Sequence, residues 1–384
     1  MPAFSRKALK NGLEAALMLA VVMGFGRFAY TALYPYMVSE YLITVAQGSW
    51  AASANYVGYL IGALWAVRIH GKQAHLVALA ALAGTAVCLL ALYFLQSGTG
   101  IIVIRLLAGI LSALGIVATS MWLLGQCKQP QAVPIMYAGV GLGIALSAEG
   151  VVWGVRQALS SPQMWLVLAL LAVGIMLCVL HGLLFERHPA QEAAPAARRF
   201  ESNISAYTLI VLYGLAGFGY IITATYLPLL VKLALPDADI GHIWAVFGLS
   251  VIPSCFIWYR ICQRWGYRLA LSANMAVQAL GVLLPVILPN IWGYVFSALL
   301  VGGGFMGTVT LVMPLAQQLA KNSRRNLIAL ATVAYSIGQI AGPLVSGQLY
   351  QWTHSFHLSL LLATAALLAG AWMAWKKATP PAYG

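Results

Sequence analysis

The chain has 384 residues, 62% of them hydrophobic and 8% charged, with a formal net charge of +13. Soluble domains carry about 25% charged residues, so this supply cannot build a water-facing surface, and a soluble enzyme is excluded. A membrane-spanning helix takes about 20 apolar residues, so about twelve spans would use the roughly 238 hydrophobic residues present, which excludes a single-pass receptor.

Twelve apolar stretches can be drawn in chain order. Six are centred near Gly26, Tyr59, Thr85, Ser112, Ala145 and Gly174, and six near Phe218, Ser250, Gln278, Gly303, Gly338 and Ala366. The first comes after Arg6, Lys7 and Lys10 and runs well past a signal peptide's apolar region without a small-residue cleavage site, which predicts a retained span. Within it Arg27, Tyr30, Thr31 and Tyr34 fall at i, i+3, i+4 and i+7, a polar-aromatic stripe expected to face a wet cavity. Span four carries Arg105, Ser112 and Thr119 at seven-residue spacing, and span five carries Gly139, Gly143 and Glu149. The longest polar stretch, from Glu186 to Ile204, reads as a linker. Beyond it, Tyr213, Tyr220 and Thr223 form a weaker stripe on span seven, and Gly338, Gly342 and Pro343 lie on span eleven.

Charge placement fixes an expected orientation. With the amino terminus inside, the inner segments receive seventeen Lys and Arg, the outer segments only Lys232, and Arg27, Arg105 and Arg156 fall inside spans. That is the positive-inside bias, placing both termini in the cytoplasm of a plasma (inner) membrane protein. The basic balance is thus an orientation device, not a nucleic-acid surface. Trp50, Trp153, Trp165, Trp244, Trp292 and Trp352 near outer ends, and Trp122, Trp258, Trp372 and Trp375 near inner ends, are expected to form the two interfacial belts. The five cysteines make no C-x-x-C pair and read as small buried hydrophobes. His354 and His357 read as an interfacial polar pair, so no metal is expected. With no G-x-x-x-x-G-K-[ST] run to cradle ATP, no cofactor is expected either.

The two halves match. Gly24-Phe25-Gly26-Arg27 precedes Pro35 by the interval at which Gly217-Phe218-Gly219-Tyr220 precedes Pro228, and Gly139 with Gly143 matches Gly338 with Gly342. This predicts an all-α membrane protein of twelve helices in two six-helix bundles, residues 1–187 and 205–384, joined by a cytoplasmic linker at 188–204. The bundles are related by a parallel pseudo-two-fold repeat, with the substrate site between them near the midplane.

These residues resemble the major facilitator superfamily, and the resemblance covers the whole chain. Arg105-x-x-x-Gly109 is similar to the superfamily's fourth-helix arginine motif. Gly338-x-x-x-Gly342-Pro343-x-x-Ser346-Gly347 is similar to a glycine-proline motif of exporters, with Ile144 where the first-half copy would have proline. The run from Gly62 to Lys72 lacks the aspartate of the superfamily pattern, as does Gln263-Arg264-Trp265-Gly266-Tyr267-Arg268. Gly26-Arg27-Phe28-Ala29-Tyr30-Thr31, followed by Ala52-Ser53-Ala54-Asn55-Tyr56-Val57-Gly58-Tyr59, resembles the YbfB/YjiJ-type branch. The resemblance implies a monomeric secondary transporter with gating glycines at Gly139, Gly143, Gly338 and Gly342 beside Pro343, and export as its direction.

A charge at the bilayer centre costs about 2.5–3.5 kcal/mol and needs a partner or a water-filled cavity. Spans one, four and five share a bundle in the superfamily, so Arg27, Arg105 and Glu149 are expected to meet, summing to +1, or +2 once Glu149 is protonated. An anionic or carboxylate-bearing small molecule would complete the neutralisation on Arg27, with Tyr30, Thr31, Tyr34 and Tyr220 lining its site. Glu149, beside Arg105, would take up and release the coupling proton. The charges sit in one half only, since Tyr220 and Gln348 occupy the matching positions. Open beside this stand a purely structural Arg27–Glu149 pair, a translocator of lipid or amphiphile, and a proton-independent facilitator or importer. An intramembrane enzyme would need a nucleophile–base pair or metal ligands at depth, which the sequence does not offer.

Overall fold

The structure, a computed structural model, describes residues 5–376 apart from 96, 186–203, 237 and 321–326. The expected linker, except Ile204, lies outside the described residues. So do Arg187, Arg198, Arg199, Lys321, Arg324, Arg325 and Lys377 of the basic set.

Eleven long helices account for nearly all of the described residues. They are α1 (Arg6–Ser39), α2 (Val45–Ala66), α3 (Ala74–Phe94), α4 (Gly98–Met121), α5 (Val133–Arg156) and α6 (Ser161–Phe185), then α7 (Ala206–Ala234), α8 (Ile240–Ile287), α9 (Ile291–Ala320), α10 (Leu327–Thr353) and α11 (His357–Trp375). Ten include stretches long and apolar enough to cross a membrane. The other, α2, is diluted by Gln47, Ser49, Ser53 and Asn55. At 48 residues, α8 would be about 72 Å long if straight. It is broken at Gly266, whose φ of 80° and ψ of 168° lie in a region that side chains rarely enter. Hydroxyls start several helices: Ser5, Ser97 and Ser205 each accept a backbone N–H one turn on, and Thr44 forms a reciprocal capping box with Gln47.

Residues 185 and 204 mark one end of the bundle, the linker end; the opposite end is the far end. Glu40, closing α1 at the far end, accepts the backbone N–H and hydroxyl of Ser161, which opens α6, at 3.0 and 2.7 Å.

Inside α1 the backbone changes pitch. Ala20–Phe28 is π-helical, and the N–H of Ala29 bonds the carbonyl of Gly24, five residues back. The α1 and α5 backbones nearly touch here. A methyl group at Gly139 would meet the Ala16 carbonyl, and one at Gly143 the Ala20 carbonyl. The α7–α10 crossing repeats this arrangement, with Gly338 against Gly214 and Phe218, and Gly342 against Ile221. A small residue on at least one side of each contact is what lets membrane helices pack this closely.

The aromatic belt is thinner than expected. Trp50, Trp153, Trp292, Trp352, Trp372 and Trp375 are exposed, but Trp122, Trp165, Trp244 and Trp258 are buried between helices. In each of these four the large ring fills interhelical space rather than marking an interface.

Candidate functional site

Arg27 leaves the π-helical segment of α1 and is 4% exposed. Its guanidinium lies over the ring of Tyr59 at 4.2 Å, Tyr56 at 4.9 Å and Phe28 at 5.4 Å. The hydroxyls of Tyr220 on α7 and Tyr335 on α10 are within its electrostatic reach, so it faces the interior between the earlier and later helices. Its Nε is buried without a hydrogen-bond partner. Phenol rings soften a desolvated cation by about 0.5–2 kcal/mol, but they do not neutralise it.

The expected cluster of three charges does not form. Glu149 lies on α5 with its side chain half exposed, where its carboxylate meets Nδ1 of His242 on α8 at 2.8 Å. Nε2 of the same imidazole is 3.7 Å from Asp239, which is 3.5 Å from Arg156. Glu149 therefore belongs to a far-end seam between α5 and α8, not to Arg27. Asp239 and His242 also border a cavity of about 690 Å³ whose other walls include Ile243, Val246, Ile291 and Val295. The four described carboxylates all have partners elsewhere: Glu14 near Lys10, Glu40 at Ser161, and Glu149 and Asp239 in this seam. Among the described residues, no carboxylate is paired with Arg27.

Arg105 is also buried, and its Nε too lacks a partner, but both of its terminal nitrogens are used. It donates to the carbonyls of Gly26 at 2.9 Å and Arg27 at 3.0 Å, and stacks over Tyr30 at 4.4 Å. Ser112, two turns on, donates to the Val22 carbonyl at 2.7 Å, and Thr119 approaches the sulfur of Met18. The seven-residue stripe on α4 is thus a row of donors supporting the irregular stretch of α1, where the change of pitch disturbs the regular ladder.

The stripe on α1 divides as well. The Tyr30 hydroxyl donates to the Gly48 carbonyl at 3.0 Å and the Tyr34 hydroxyl to Val45 at 2.7 Å, both at the start of α2. The two rings stack at 5.4 Å. Thr31 turns to α7 and donates to the Ala224 carbonyl at 2.8 Å. Thr31, like Arg27 four residues earlier, thus faces the later helices, while Tyr30 and Tyr34 face the start of α2.

Tyr220 lies where the stripe on α7 placed it. Its hydroxyl accepts from Nε2 of Gln339, and its ring stacks on Phe305 at 5.2 Å and on Tyr335 at 5.8 Å. Tyr56, Tyr59, Tyr335 and Gln339 were missed as site residues. The signals available were Tyr56 with Tyr59 at i, i+3 on α2 and Tyr335 with Gln339 at i, i+4 on α10. His242 carried no signal, because its meaning comes from a partner 93 residues away.

Among the described residues, six polar ties join the helices before residue 186 to those after 203: Thr31 to Ala224, Tyr56 to Thr225, Ser49 to Tyr226, Ser53 to Ile340, Glu149 to His242, and Arg156 to Asp239. All lie at the centre or in the far-end half. Tyr226 also donates to the carbonyl of Pro343 at 3.0 Å.

Residues 19–374 match the profile of a family described as uncharacterised MFS-type transporter YbfB. The chain is 22% identical to the class H tetracycline resistance protein of Pasteurella multocida over 297 residues, covering 72% of this chain and 74% of that protein. In fold it is similar to a bacterial homologue of the human lysosomal transporter Spinster, solved in an inward-facing and occupied conformation. The TM-score is 0.68 at 11% identity, over 97% of each chain.

Proposed function

The chain belongs to the YbfB-type transporters of the major facilitator superfamily, and from that premise we propose that it exports a small organic anion by alternating access, driven by protons. Membership makes it a multi-pass membrane transporter rather than an enzyme. The finer architecture is part of the proposal: twelve spans, with α8 contributing two arms on either side of Gly266, in two bundles of six. The hydrogen bond from Thr31 to Ala224 supports it, because these residues stand 193 apart, the offset that relates Gly24-Phe25-Gly26 to Gly217-Phe218-Gly219. Each contacts its own counterpart, as expected near a pseudo-two-fold axis. A monomer with the linker end in the cytoplasm of the inner membrane then has its outer side held shut by the six ties and its inner side as the one to open.

Arg27 carries the anion reading. It is a buried cation with an unused Nε, three aromatic neighbours and no carboxylate partner among the described residues. A carboxylate arriving there would supply the missing charge and accept from the guanidinium. Tyr220 faces it from the opposite bundle, while Tyr30, Thr31 and Tyr34 serve the outer seal. Arg105 holds the α1 backbone in shape, so proton handling falls to Glu149 with His242. Breaking the Glu149–His242 contact loosens the α5–α8 seam, which links proton exchange at this pair to outward opening. Gly139, Gly143, Gly338, Gly342 and Pro343 let the helices roll at their crossings. Export is favoured by likeness to a tetracycline resistance protein.

The cavity beside Asp239 and His242, largely apolar, favours a second reading in which the cargo is an amphiphile entering from the lipid. Proteoliposomes separate the two. With an imposed pH gradient, wild type should accumulate an organic anion, and Glu149→Gln should lose gradient-driven accumulation while keeping anion exchange. Undiminished accumulation in that variant removes the proton role, and Arg27→Lys with unchanged anion affinity removes the anion site.

A further inference from the structure

Beside Arg27 the interior is aromatic rather than aliphatic. Tyr213 stacks on Tyr335 at 4.2 Å, Tyr335 on Tyr220 at 5.8 Å, Tyr220 on Phe305 at 5.2 Å, Phe305 on Phe247 at 5.8 Å, and Phe247 on Trp244 at 4.4 Å. The interplanar angles along this row are 19°, 12°, 5°, 24° and 22°. Three helices and the first arm of α8 thus contribute near-parallel rings. Phe28, next to Arg27 in the chain, meets Phe305 edge-on at 5.8 Å and 62°. The cation therefore stands one ring away from the stack. Gln339, whose amide nitrogen donates to the Tyr220 hydroxyl, has its Oε1 buried without a partner, and an unmet group of this kind asks for a ligand or water.

We propose that the substrate class is a planar aromatic carboxylic acid: its carboxylate on Arg27, its ring face-on to Phe305 and Tyr220 in place of a ring now filling that space. A hydroxyl or amino substituent would meet Gln339. Parallel ring faces reward a partner of the same shape, because offset stacking adds to simple burial for flat π systems. Aliphatic side chains would have buried any apolar cargo equally well. The proposal rests on the anion reading of Arg27, and the probes are chosen so that the two fail separately.

The experiment measures binding to purified full-length protein in detergent by isothermal titration, with 2-naphthoate, decahydronaphthalene-2-carboxylate and 2-naphthamide. The first should bind at least tenfold more tightly than the second, which has its charge without its flatness, and than the third, which has its flatness without its charge. Phe305→Leu, which keeps an apolar side chain of similar bulk, should bring the two acids to within about twofold of each other. Equal affinity for the two acids in wild type overturns the aromatic inference and leaves the anion reading standing. Equal affinity for naphthoate and naphthamide overturns the anion reading and leaves the ring preference. A failure of both acids to bind, or a preference for naphthoate unchanged by Phe305→Leu, overturns the proposal.

Discussion

The two buried arginines make opposite demands on stability, and replacing each by methionine tests how the site is built. At Arg105 the change removes two charge-assisted bonds, to Gly26 at 2.9 Å and Arg27 at 3.0 Å, each contributing about 1.5–3 kcal/mol. It also deprives two buried carbonyls of their donor and ends the contact over Tyr30. Relief from burying a cation returns only about 2.5–3.5 kcal/mol, so Arg105→Met should lose about 3 kcal/mol or more. At Arg27 the same relief is opposed by ring contacts alone, about 0.5–2 kcal/mol apiece for the nearest two. Arg27→Met should therefore stay within about 1 kcal/mol of wild type or exceed it. The apparent melting temperature in detergent reads the contrast, with Arg105→Met several degrees lower and Arg27→Met level or higher. Added anion should raise wild type, since a ligand bound only by the folded state stabilises it, but should leave Arg27→Met unmoved. An Arg27→Met variant that melts as early as Arg105→Met would show Arg27 to be scaffold, and the reasoning from an uncompensated cation would end there.

Three further outcomes are expected. Thr31→Val deletes the bond to Ala224, worth about 1 kcal/mol, and should shift the balance toward outward-open by roughly fivefold; spin-label distances across the far end would show it, and an unchanged distribution counts against the seal. Gly338→Val drives a branched side chain into Gly214 and Phe218 of α7 and should cost more than about 2 kcal/mol; normal folding yield and melting would refute that close crossing. His242→Gln keeps a polar side chain but removes the imidazole that meets Glu149, so the pH dependence of gradient-driven flux should flatten; an unaltered profile would place proton handling elsewhere.

Much of the scaffold was legible because it depends on composition and period. Long apolar stretches must become helices in lipid, where every backbone group has to be satisfied within its own segment. The paired glycine patterns, Gly139 with Gly143 and Gly338 with Gly342, marked the close crossings by residue type alone, because only small residues tolerate them. Arg27 stood out by its cost. The partners were not legible. A helical wheel assumes one pitch, and the π-helical stretch from Ala20 to Phe28 breaks that assumption, leaving the carbonyls of Gly26 and Arg27 that Arg105 takes. Glu149 found His242 across a seam that no local pattern encodes. Chemistry and cost could be read along the chain; which charge faces which ring, carbonyl or imidazole was decided by how the helices pack.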